Sequence, residues 1–332
     1  MASPALEPAH TRAFEDAIEV RLQSPSTYVA DLKWEWSVGS APNGGYIAAI
    51  LHRAATTHFK NAHPKAHHGC AVPIHMQLTY IRRSDVGPAN LSVRDVKLGS
   101  RVSVIHITLS QDGRDKVTGY ITMSDPVSET GVSTPTGWTA QPSVPRWLPP
   151  DDKSGEVDSE WRKVFLPNAE FRRASSQVEF YELKNPSVGV GFVSHWARLR
   201  PSGPTGGIGR WTPESVAFLC DIFPITLGRL EHVVHRALCG EENPKGKPPP
   251  VWFPTLGLNL DLKKPVLGDQ VEWLYSHIVI KSLRNGRMDV EVVILDQGGE
   301  VVAISTQASL VMSAERNAGS KKAIQKHSSG KI

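Results

Sequence analysis

The chain has 332 residues, of which 40% are hydrophobic and 21% are charged. This composition is ordinary for a folded globular protein and does not favour an intrinsically disordered chain. No apolar run reaches the roughly 18 residues that a membrane-spanning helix needs, so we expect a soluble protein without a membrane partner. At about 150 residues per domain, the length predicts two domains.

Charge and cysteine content limit the kinds of binding partner and the cellular compartment that we expect. The formal charge is +4, with basic residues scattered apart from the tail, so we expect no nucleic-acid partner. Cys70, Cys220 and Cys239 are odd in number and match no zinc spacing, which favours a reducing compartment without disulfides. The first residues lack the pattern of a secretory signal, and a cytoplasmic location is expected.

The C-terminal tail, 314–332, is polar and basic, and we expect it to be mobile. It ends in Gly330, Lys331 and Ile332, which match the peroxisomal Ser-Lys-Leu signal only loosely. A peroxisomal location therefore stays open as the alternative.

The first predicted elements are a helix and then a sheet. NGGYIAAILHRAATTHF offers Asn43 as a helix cap, followed by apolar residues at helical spacing: Tyr46, Ile47, Ile50, Leu51 and Ala54. Three strand-like runs follow between Ala71 and Ser124, with turn signals at 84–90, 99–100 and 112–113. Such short connections predict an antiparallel meander.

A segment rich in Pro, Ser, Thr and Gly at 125–160 then predicts a linker. We assign 14–127 to a first unit, 128–187 to the linker and connecting segment, and 188–313 to a second unit. The second unit is predicted to hold a strand at Gly191–Leu199, a helix from Pro213, and strands near Thr255–Leu262, Val271–Ser282, Arg287–Asp296 and Val301–Met312.

The second unit repeats the first at the level of residues. PIHMQLTYIRR from Pro73 lies against PTLGLNLDLKK from Pro254, each a strand that follows a proline and ends in two basic residues. SRVSVIHITLSQDG from Ser100 lies against GRMDVEVVILDQGG from Gly286, each running into a glycine turn. A repeat of this length indicates a duplicated unit, and the fold class is α+β. The pattern predicts a double hotdog, in which a helix wrapped by an antiparallel sheet occurs twice.

The last strand, VVAISTQASLVM, has two different faces. One face is mainly apolar and is predicted to form core: Val302, Ile304, Thr306, Ala308, Leu310 and Met312. The other face carries Gln307 among Ser305, Ser309 and small or apolar residues. It is too polar for a dry interior, so it lines either a cleft or an ordinary surface.

Asp221 is the one charged residue from Ser215 to Gly228. Thr212 can cap the predicted helix and Pro213 suits its first turn. Pro224 should end the helix, an end where a carboxylate is disfavoured. A lone carboxylate among apolar residues is costly without partners. It is therefore either a functional group or a partly solvated residue at a helix end.

Taken together, the motifs resemble the type II acyl-CoA thioesterases and related thioesterase-like proteins. The resemblance covers about residues 14–313 and rests on APNGGYIAAIL, FLCDIFP, PTLGLNLDLKKP and GEVVAISTQASL in this order. It implies two hotdog units in one chain, an acyl thioester such as an acyl-CoA as the small-molecule substrate, and no cofactor. It also implies that Asp221, Thr255 and Gln307 are catalytic.

This residue set suits thioester hydrolysis. The leaving thiol has a pKa of about 8.5, so it departs without a strong general acid. A carboxylate can accept a proton from water, while a hydroxyl and an amide orient that water. We therefore expect Asp221 to be the base or water-orienting group, with Thr255 and Gln307 positioning the water.

The first unit has no such set, because Ile74 stands opposite Thr255 and Ile121 opposite Gln307. Asn43, Gly44 and Gly45 are either a cap with close-packing glycines or a start of helix whose N–H groups contact substrate. We expect the second role and assign these three residues to substrate binding.

The histidines fit no established metal spacing, so no metal is expected: His52, His58, His63, His67, His68 and His75. The basic pairs Arg82, Arg83 and Lys263, Lys264 end equivalent strands and either contact CoA phosphates or are solvated strand ends. One difficulty concerns geometry. Simple alternation puts Thr255 and Gln307 on the face opposite the leucines, unless a bulge intervenes.

Two other functions stay open. One keeps the site but acts on a carrier-bound or CoA-bound biosynthetic thioester of polyketide type. The other is a hotdog protein that binds an acyl ligand without turnover. A homo-oligomer is compatible with either.

Overall fold

A computed structural model of the protein describes residues 14–126, 129–144, 160–166, 168–185, 191–200, 209–239, 251–266 and 271–313. The tail predicted to be mobile, 314–332, lies outside the described residues, as do parts of the predicted linker. The helices are α1 (Phe14–Ala17), α2 (Gly44–Ala62), α3 (Arg173–Ser176), α4 (Pro213–Leu219) and α5 (Pro224–Cys239), with short 3₁₀ turns at Trp34–Trp36 and Ala66–Gly69.

The strands of the first half are β1 (Arg21–Ser24), β2 (Thr27–Leu32), β3 (Ser37–Val38), β4 (Ala41–Pro42), β5 (Val72–Tyr80), β6 (Gly87–Lys97), β7 (Ser103–Gln111) and β8 (Arg114–Ser124). Those of the second half are β9 (Trp161–Lys163), β10 (Val178–Leu183), β11 (Phe192–Leu199), β12 (Val251–Trp252), β13 (Thr255–Leu262), β14 (Leu274–Val279), β15 (Leu283–Arg284), β16 (Arg287–Leu295), β17 (Val301–Leu310) and β18 (Met312–Ser313).

One antiparallel sheet joins both halves of the described chain. Its strand order is β1-β2-β6-β7-β8-β5-β13-β17-β16-β14-β11-β10-β9, with β15 paired to β16. The halves meet where β5 pairs with β13, and Leu258 lies opposite Leu78 in that register. The two predicted sheets are thus continuous, and the α+β fold class is confirmed.

The first meander has four strands, so the prediction of three was wrong. The predicted turn at 84–90 overlaps the beginning of β6, which starts at Gly87. Only alternate residues of β6 are buried, Ala89, Leu91 and Val93, while its second half is exposed. A strand with so few buried positions gives a weak apolar pattern.

Helix α2 lies against the sheet as the sequence predicted. The side chain of Asn43 accepts a hydrogen bond from the backbone N–H of Tyr46 at 3.0 Å, which satisfies one of the free donors of the first turn. The predicted apolar positions are all buried. The helix runs for 19 residues, and its first half packs against α4 of the second unit.

The helix of the second unit is shorter than predicted. Thr212 and Ser215 form a reciprocal capping box, and Pro213 occupies the first turn. The helix ends at Leu219, before Pro224, and Pro224 instead begins α5. Asp221 therefore lies in a turn between two helices.

Part of the predicted connecting segment belongs to the second sheet. β10 pairs with β11, and β9 pairs with β10, so both strands extend the sheet of the second unit. The charged residues of β10 weaken its apolar pattern, so the sequence did not predict it as a strand. Its Glu179 is buried and pairs with Arg198 at 2.7 Å. The bounds of the two units otherwise stay a prediction.

The core face predicted for β17 is wrong in its central part, although Val302 is buried in the main core as expected. The Gln307 face, predicted to line a cleft or an ordinary surface, is buried. Ser305, Gln307 and Ser309 are buried on the face toward the helices, while Thr306 and Ala308 are exposed. Ile304, which was expected in the main core, packs at the edge of a smaller cluster that includes Trp273 and Val293 on the other face. Apolar alternation could not show which face of the sheet the helices cover.

Among the described residues, no helix is both long enough and apolar enough to cross a bilayer.

The junction of β5 and β13 predicts a contrast between two leucines. Leu260 is fully buried and lies opposite Met76, whereas Leu256 is 43% exposed on the same strand. Leu260→Ala should lower the free energy of unfolding by about 2–5 kcal/mol, since it leaves a cavity in the core. Leu256→Ala should change it by about 0.5 kcal/mol or less. Urea unfolding of both variants checks this, and equal losses would contradict the described register.

Candidate active site

Asp221 lies where the two units meet, and its carboxylate is bound from both. In the first unit, the backbone N–H of Gly45 and the side-chain amide of Asn43 donate to Oδ2 at 2.8 and 3.0 Å. In the second unit, the hydroxyl of Thr255 donates to Oδ1 at 3.2 Å. The structure therefore brings four of the six predicted site residues into one hydrogen-bonded group, and Gly44 lies beside them.

The start of α2 provides a favourable electric field for this carboxylate. A helix N-terminus carries a partial positive charge, and α2 directs it at Asp221. The end of α4 has the opposite effect, since Asp221 follows its last residues. The sequence predicted the second contribution but not the first, because α2 and Asp221 are far apart in the chain.

The glycines of α2 allow this close approach. A Cβ at Gly45 would lie 2.6 Å from the carbonyl oxygen of Phe218 and 2.7 Å from the Cβ of Asp221. A Cβ at Gly44 would lie 2.9 Å from Oδ2 of Asp221. All three distances are shorter than non-bonded atoms tolerate. A larger residue at Gly45 would meet backbone and push the helix away, whereas one at Gly44 would displace the carboxylate oxygen.

Thr255 faces Asp221 because β13 has a bulge at its start. The register with β17 shifts between Thr255 and Gly257, so that Thr255 lies opposite Ser309 while Leu258 lies opposite Gln307. Without the extra residue, Thr255 would point to the outer face. The bulge removes the difficulty that alternation posed.

Gln307 contacts the residue before Asp221 and does not form a hydrogen bond with the Asp221 carboxylate. Its amide donates to the backbone carbonyl of Cys220 at 2.7 Å, which satisfies an acceptor left free at the end of α4. Its Oε1 is buried and has no hydrogen-bond partner among the residues that the structure describes. Gln307 thus fixes the turn that carries Asp221 and keeps one free acceptor.

A cavity of about 250 Å³ opens beside these groups. Asn43, Gly44, Asp221 and Thr255 line it, while Gly45 and Gln307 lie behind its wall. The apolar part of the wall includes Ile47, Phe223, Leu227 and Phe253. Three basic residues also line the cavity: Arg82, Arg83 and Arg172. A cavity with apolar walls and a few convergent polar groups is the usual form of a small-molecule site.

Tyr80 is a site residue that the sequence did not reveal. Its hydroxyl donates to the carbonyl of Gly44 at 2.7 Å, and it lines the cavity. Burial, followed by the charge of Asp221, raises the pKa of Tyr80 well above its usual value, so the hydroxyl stays protonated. Its position at the end of β5, before Arg82 and Arg83, was the available signal.

The two basic strand ends differ. Arg82 and Arg83 line the cavity, where Arg83 also contacts Ser40 at 3.1 Å. Lys263 and Lys264 do not line it, and Lys264 pairs with Asp296 at 2.7 Å. Only the pair in the first unit is placed to meet a ligand in this cavity.

The first unit has no matching polar group at the positions compared in the sequence. Ile121 is fully buried opposite Met76, and Ile74 is partly buried on β5. These apolar side chains supply neither a base nor a hydrogen-bond donor. Of the two units, only the second therefore has the polar set at the compared positions.

The carboxyl of Asp221 titrates unusually. Burial raises its pKa to about 6, although hydrogen bonds from Gly45, Thr255 and Asn43 oppose the shift. The group is therefore mostly ionised at neutral pH yet basic enough to accept a proton, which is the range expected of a general base.

Two family models match the chain. Residues 32–124 match the N-terminal domain of acyl-CoA thioesterases, and residues 143–311 match the C-terminal domain. The C-terminal match begins inside the segment predicted to be a linker, in agreement with the place of β9 and β10 in the second sheet.

Individual proteins are similar over nearly the whole chain. The thioesterase-like protein TwmA of Talaromyces wortmannii is 28% identical, covering 95% of this chain and 96% of its own. A hot dog fold protein of Alicyclobacillus acidocaldarius superposes with a TM-score of 0.64 at 17% identity, over 91% of this chain and 99% of that one. The acyl-CoA thioesterase II TesB2 of Mycobacterium marinum has a TM-score of 0.59 at 18% identity, over 92% and 100%. These likenesses confirm the double-hotdog prediction.

The raised pKa predicts how stability depends on pH. The folded protein holds a proton on Asp221 between its usual pKa of 3.8 and about 6, where the unfolded chain has released it. The contribution of this residue to stability therefore falls as the pH rises through that window. Relative to Asp221→Asn, which does not titrate, the wild type should lose free energy of unfolding from about pH 4 to 6 and then level off.

Urea unfolding of both proteins from about pH 4 to 7 measures the difference between their free energies of unfolding. Other titrating groups contribute equally to both proteins, so their contributions cancel in this difference. A difference that grows in favour of the wild type with rising pH would show a lowered pKa and contradict the burial described above.

Proposed function

We propose that this chain, which belongs to the acyl-CoA thioesterase family, hydrolyses acyl-CoA thioesters with a water molecule that Asp221 activates. The single observation behind this proposal is the carboxylate of Asp221. It lies at the wall of the cavity, held by donors from both units and poised near neutral pH.

In the proposed reaction, water attacks the thioester carbonyl and its proton passes to Asp221. The C–S bond then breaks, and the thiolate takes up a proton to leave as CoA. A thiol with a pKa of about 8.5 is a good leaving group, so the acid side of the reaction needs no dedicated residue. The base and the position of the water are what the protein must supply.

Thr255 and Gln307 have different proposed parts. Thr255 touches the carboxylate and the cavity, so its hydroxyl can hold the water against Oδ1. Gln307 does not line the cavity, so it positions the water indirectly: it holds the Cys220 carbonyl and thereby the turn that carries Asp221. Both functions reduce the freedom of the attacking group.

The start of α2, which the sequence suggested as a substrate-binding segment, has two roles in this proposal. Its Gly45 N–H group is bound to Asp221, so that donor sets the carboxylate and not the developing oxyanion. Asn43 and Gly44 line the cavity and remain our proposed substrate contacts, whereas Gly45 supports them from behind. Arg82 and Arg83 are placed for the phosphates of CoA, since guanidinium groups bind phosphate strongly.

Asp221→Asn should lower kcat for acyl-CoA hydrolysis by about 10²–10⁴-fold, because the amide keeps the shape but cannot accept the proton. Thr255→Val should lose less, since the base stays in place. Thiol release from a panel of acyl-CoAs measures both.

The matched control is Asp261→Asn, which removes an exposed carboxylate on β13 that pairs with His75 at 2.9 Å. It should retain wild-type turnover. Full activity in Asp221→Asn would contradict the proposed base, and wild-type protein that binds acyl-CoA without turnover would favour a binding function.

One observation favours the second candidate, hydrolysis of an oxygenated, polyketide-type acyl thioester. On the inner face of the second sheet, four buried polar groups have no hydrogen-bond partner in the described part of the chain: His195, Ser276, Ser305 and the Oε1 of Gln307. They lie beyond the residues that line the cavity. Ser309, on the same face of β17, lines the cavity. The corresponding face of the first unit is mainly aliphatic, and its buried Ser103 and Gln111 are hydrogen-bonded. The aliphatic residues are Leu91, Val93, Ile105, Ile107, Val117 and Ile121.

Unpartnered buried polar groups cost about 1–3 kcal/mol each, a cost that a ligand with its own hydroxyl or keto groups can offset. His195 is neutral there, since burial lowers its pKa to about 3, and it can donate or accept. It lies opposite Ser276 on the neighbouring strand. A ligand would have to extend past Ser309 along this face to reach these groups, and an unsubstituted fatty acyl chain would leave them unpaired.

This candidate predicts a preference among acyl-CoAs of equal length. The wild type should turn over hydroxyacyl or ketoacyl chains with higher kcat/KM than plain chains. Ser305→Ala should reduce that preference, while the exposed Ser92→Ala on β6 should not change it. Equal kcat/KM for both classes would reject the oxygenated substrate and leave acyl-CoA hydrolysis intact.

A further inference from the structure

A group of possible metal ligands lies at the other end of α2, away from the cavity. The Nε2 of His58 is 3.1 Å from Oδ1 of Asp95, and the Nε2 of His63 is 2.9 Å from Oδ2 of the same carboxylate. The three ligand atoms all lie within 4.8 Å of one another. We propose that His58, His63 and Asp95 form a binding site for a divalent cation of the zinc type.

The spacing of these atoms suits a tetrahedral ion. Zinc binds imidazole nitrogen and carboxylate oxygen at about 2.0–2.2 Å, so neighbouring ligand atoms of a tetrahedron are about 3.3 Å apart. The two N···O distances, 3.1 and 2.9 Å, go to different oxygens of the Asp95 carboxylate, and the three ligand atoms lie within 4.8 Å of one another. An ion held by one carboxylate oxygen would draw the two imidazoles closer together. Neutral imidazole with one carboxylate is a common zinc ligand set, and a fourth position is left for water.

The backbone holds the three groups in place. His58 lies in the last turns of α2, and His63 is the residue that caps this helix. Asp95 precedes a bulge in β6, where the register with β7 shifts between Asp95 and Lys97. His58 is 2% exposed, whereas the side chains of His63 and Asp95 are 20% and 36% exposed, so an ion can reach the group from solvent.

A second layer of contacts orients the buried ligand. The hydroxyl of Tyr28 is 3.0 Å from Nδ1 of His58, on the side of the ring that points away from Asp95. Zinc-binding histidines generally donate their other ring N–H to such a partner, which fixes the ring and raises its affinity for the ion. To bind the ion, the Nε2 atoms of both His58 and His63, which face oxygens of Asp95, must be free of protons. The remaining proton of His58 would then lie on Nδ1, with the Tyr28 oxygen as acceptor.

The linear sequence could not indicate this site. His58 and His63 are in one short segment, but the third ligand follows His63 by 32 positions and belongs to a strand. An ion here would tie the end of α2 to β6, and α2 is the helix whose other end holds Asp221. We therefore expect a stabilising role and no direct part in catalysis.

The test is isothermal titration of the chelator-treated full chain with Zn²⁺, with Co²⁺ absorption as a second probe. The wild type should bind one equivalent, raise its Tm, and give the intense visible bands of four-coordinate cobalt. His63→Ala and Asp95→Asn change residues near the surface, and each removes one proposed ligand. Each should weaken Zn²⁺ binding by about 10-fold or more. The buried but conservative Tyr28→Phe should weaken it by about 10–100-fold.

The matched control is His75→Ala, which breaks another partly exposed His–Asp pair that has no third ligand in the described structure. It should bind Zn²⁺ like the wild type. Absence of stoichiometric binding to the wild type would overturn the proposal. So would binding that His63→Ala and Asp95→Asn leave unchanged, because the ion would then sit on other histidines. Neither result bears on thioester hydrolysis.

Discussion

The packing of the first turn of α2 against the end of α4 is the constraint on which the site depends. Gly45 allows backbone atoms of one unit to meet Asp221 of the other at a distance that no side chain would permit. The carboxylate thereby gains donors from α2, which offset part of the cost of its burial. Phe14, Trp36, Tyr46 and Phe218 form an aromatic cluster that includes residues of both α2 and α4.

Duplication explains why such a contact can exist. Two similar units joined through β5 and β13 place the start of one central helix beside the end of the other. Only the second unit then needs the reactive groups, and the first can keep Ile121 where its counterpart has Gln307. Geometry thus permits an unequal contribution of the two units: one contributes the helix start, and the other contributes the carboxylate that we propose as the base and the hydroxyl of Thr255.

Much of this arrangement could be predicted from the sequence, but its orientation could not. Caps at Asn43 and Thr212 and the internal repeat are local signals, and the double hotdog follows from them. The buried face of β17 was predicted wrongly, since alternation sorts residues into two faces without saying which one the helices cover. Alternation alone did not predict the bulge at Thr255, which was considered only because it would bring Thr255 to the inner face. The assignment of Asp221, Thr255 and Gln307 therefore rested on the family resemblance.

The interaction of Asp221 with its surroundings also sets its chemistry, because burial and donors together place its pKa at about 6. The dependence of kcat/KM on pH for acyl-CoA hydrolysis tests this most directly. We predict that kcat/KM rises with pH through about 6 and is constant above about 7, as Asp221 loses its proton and becomes a base. The residual activity of Asp221→Asn should show no such rise. A wild-type profile that is flat from about pH 5 to 7, or a variant that keeps the same rise, would contradict the account.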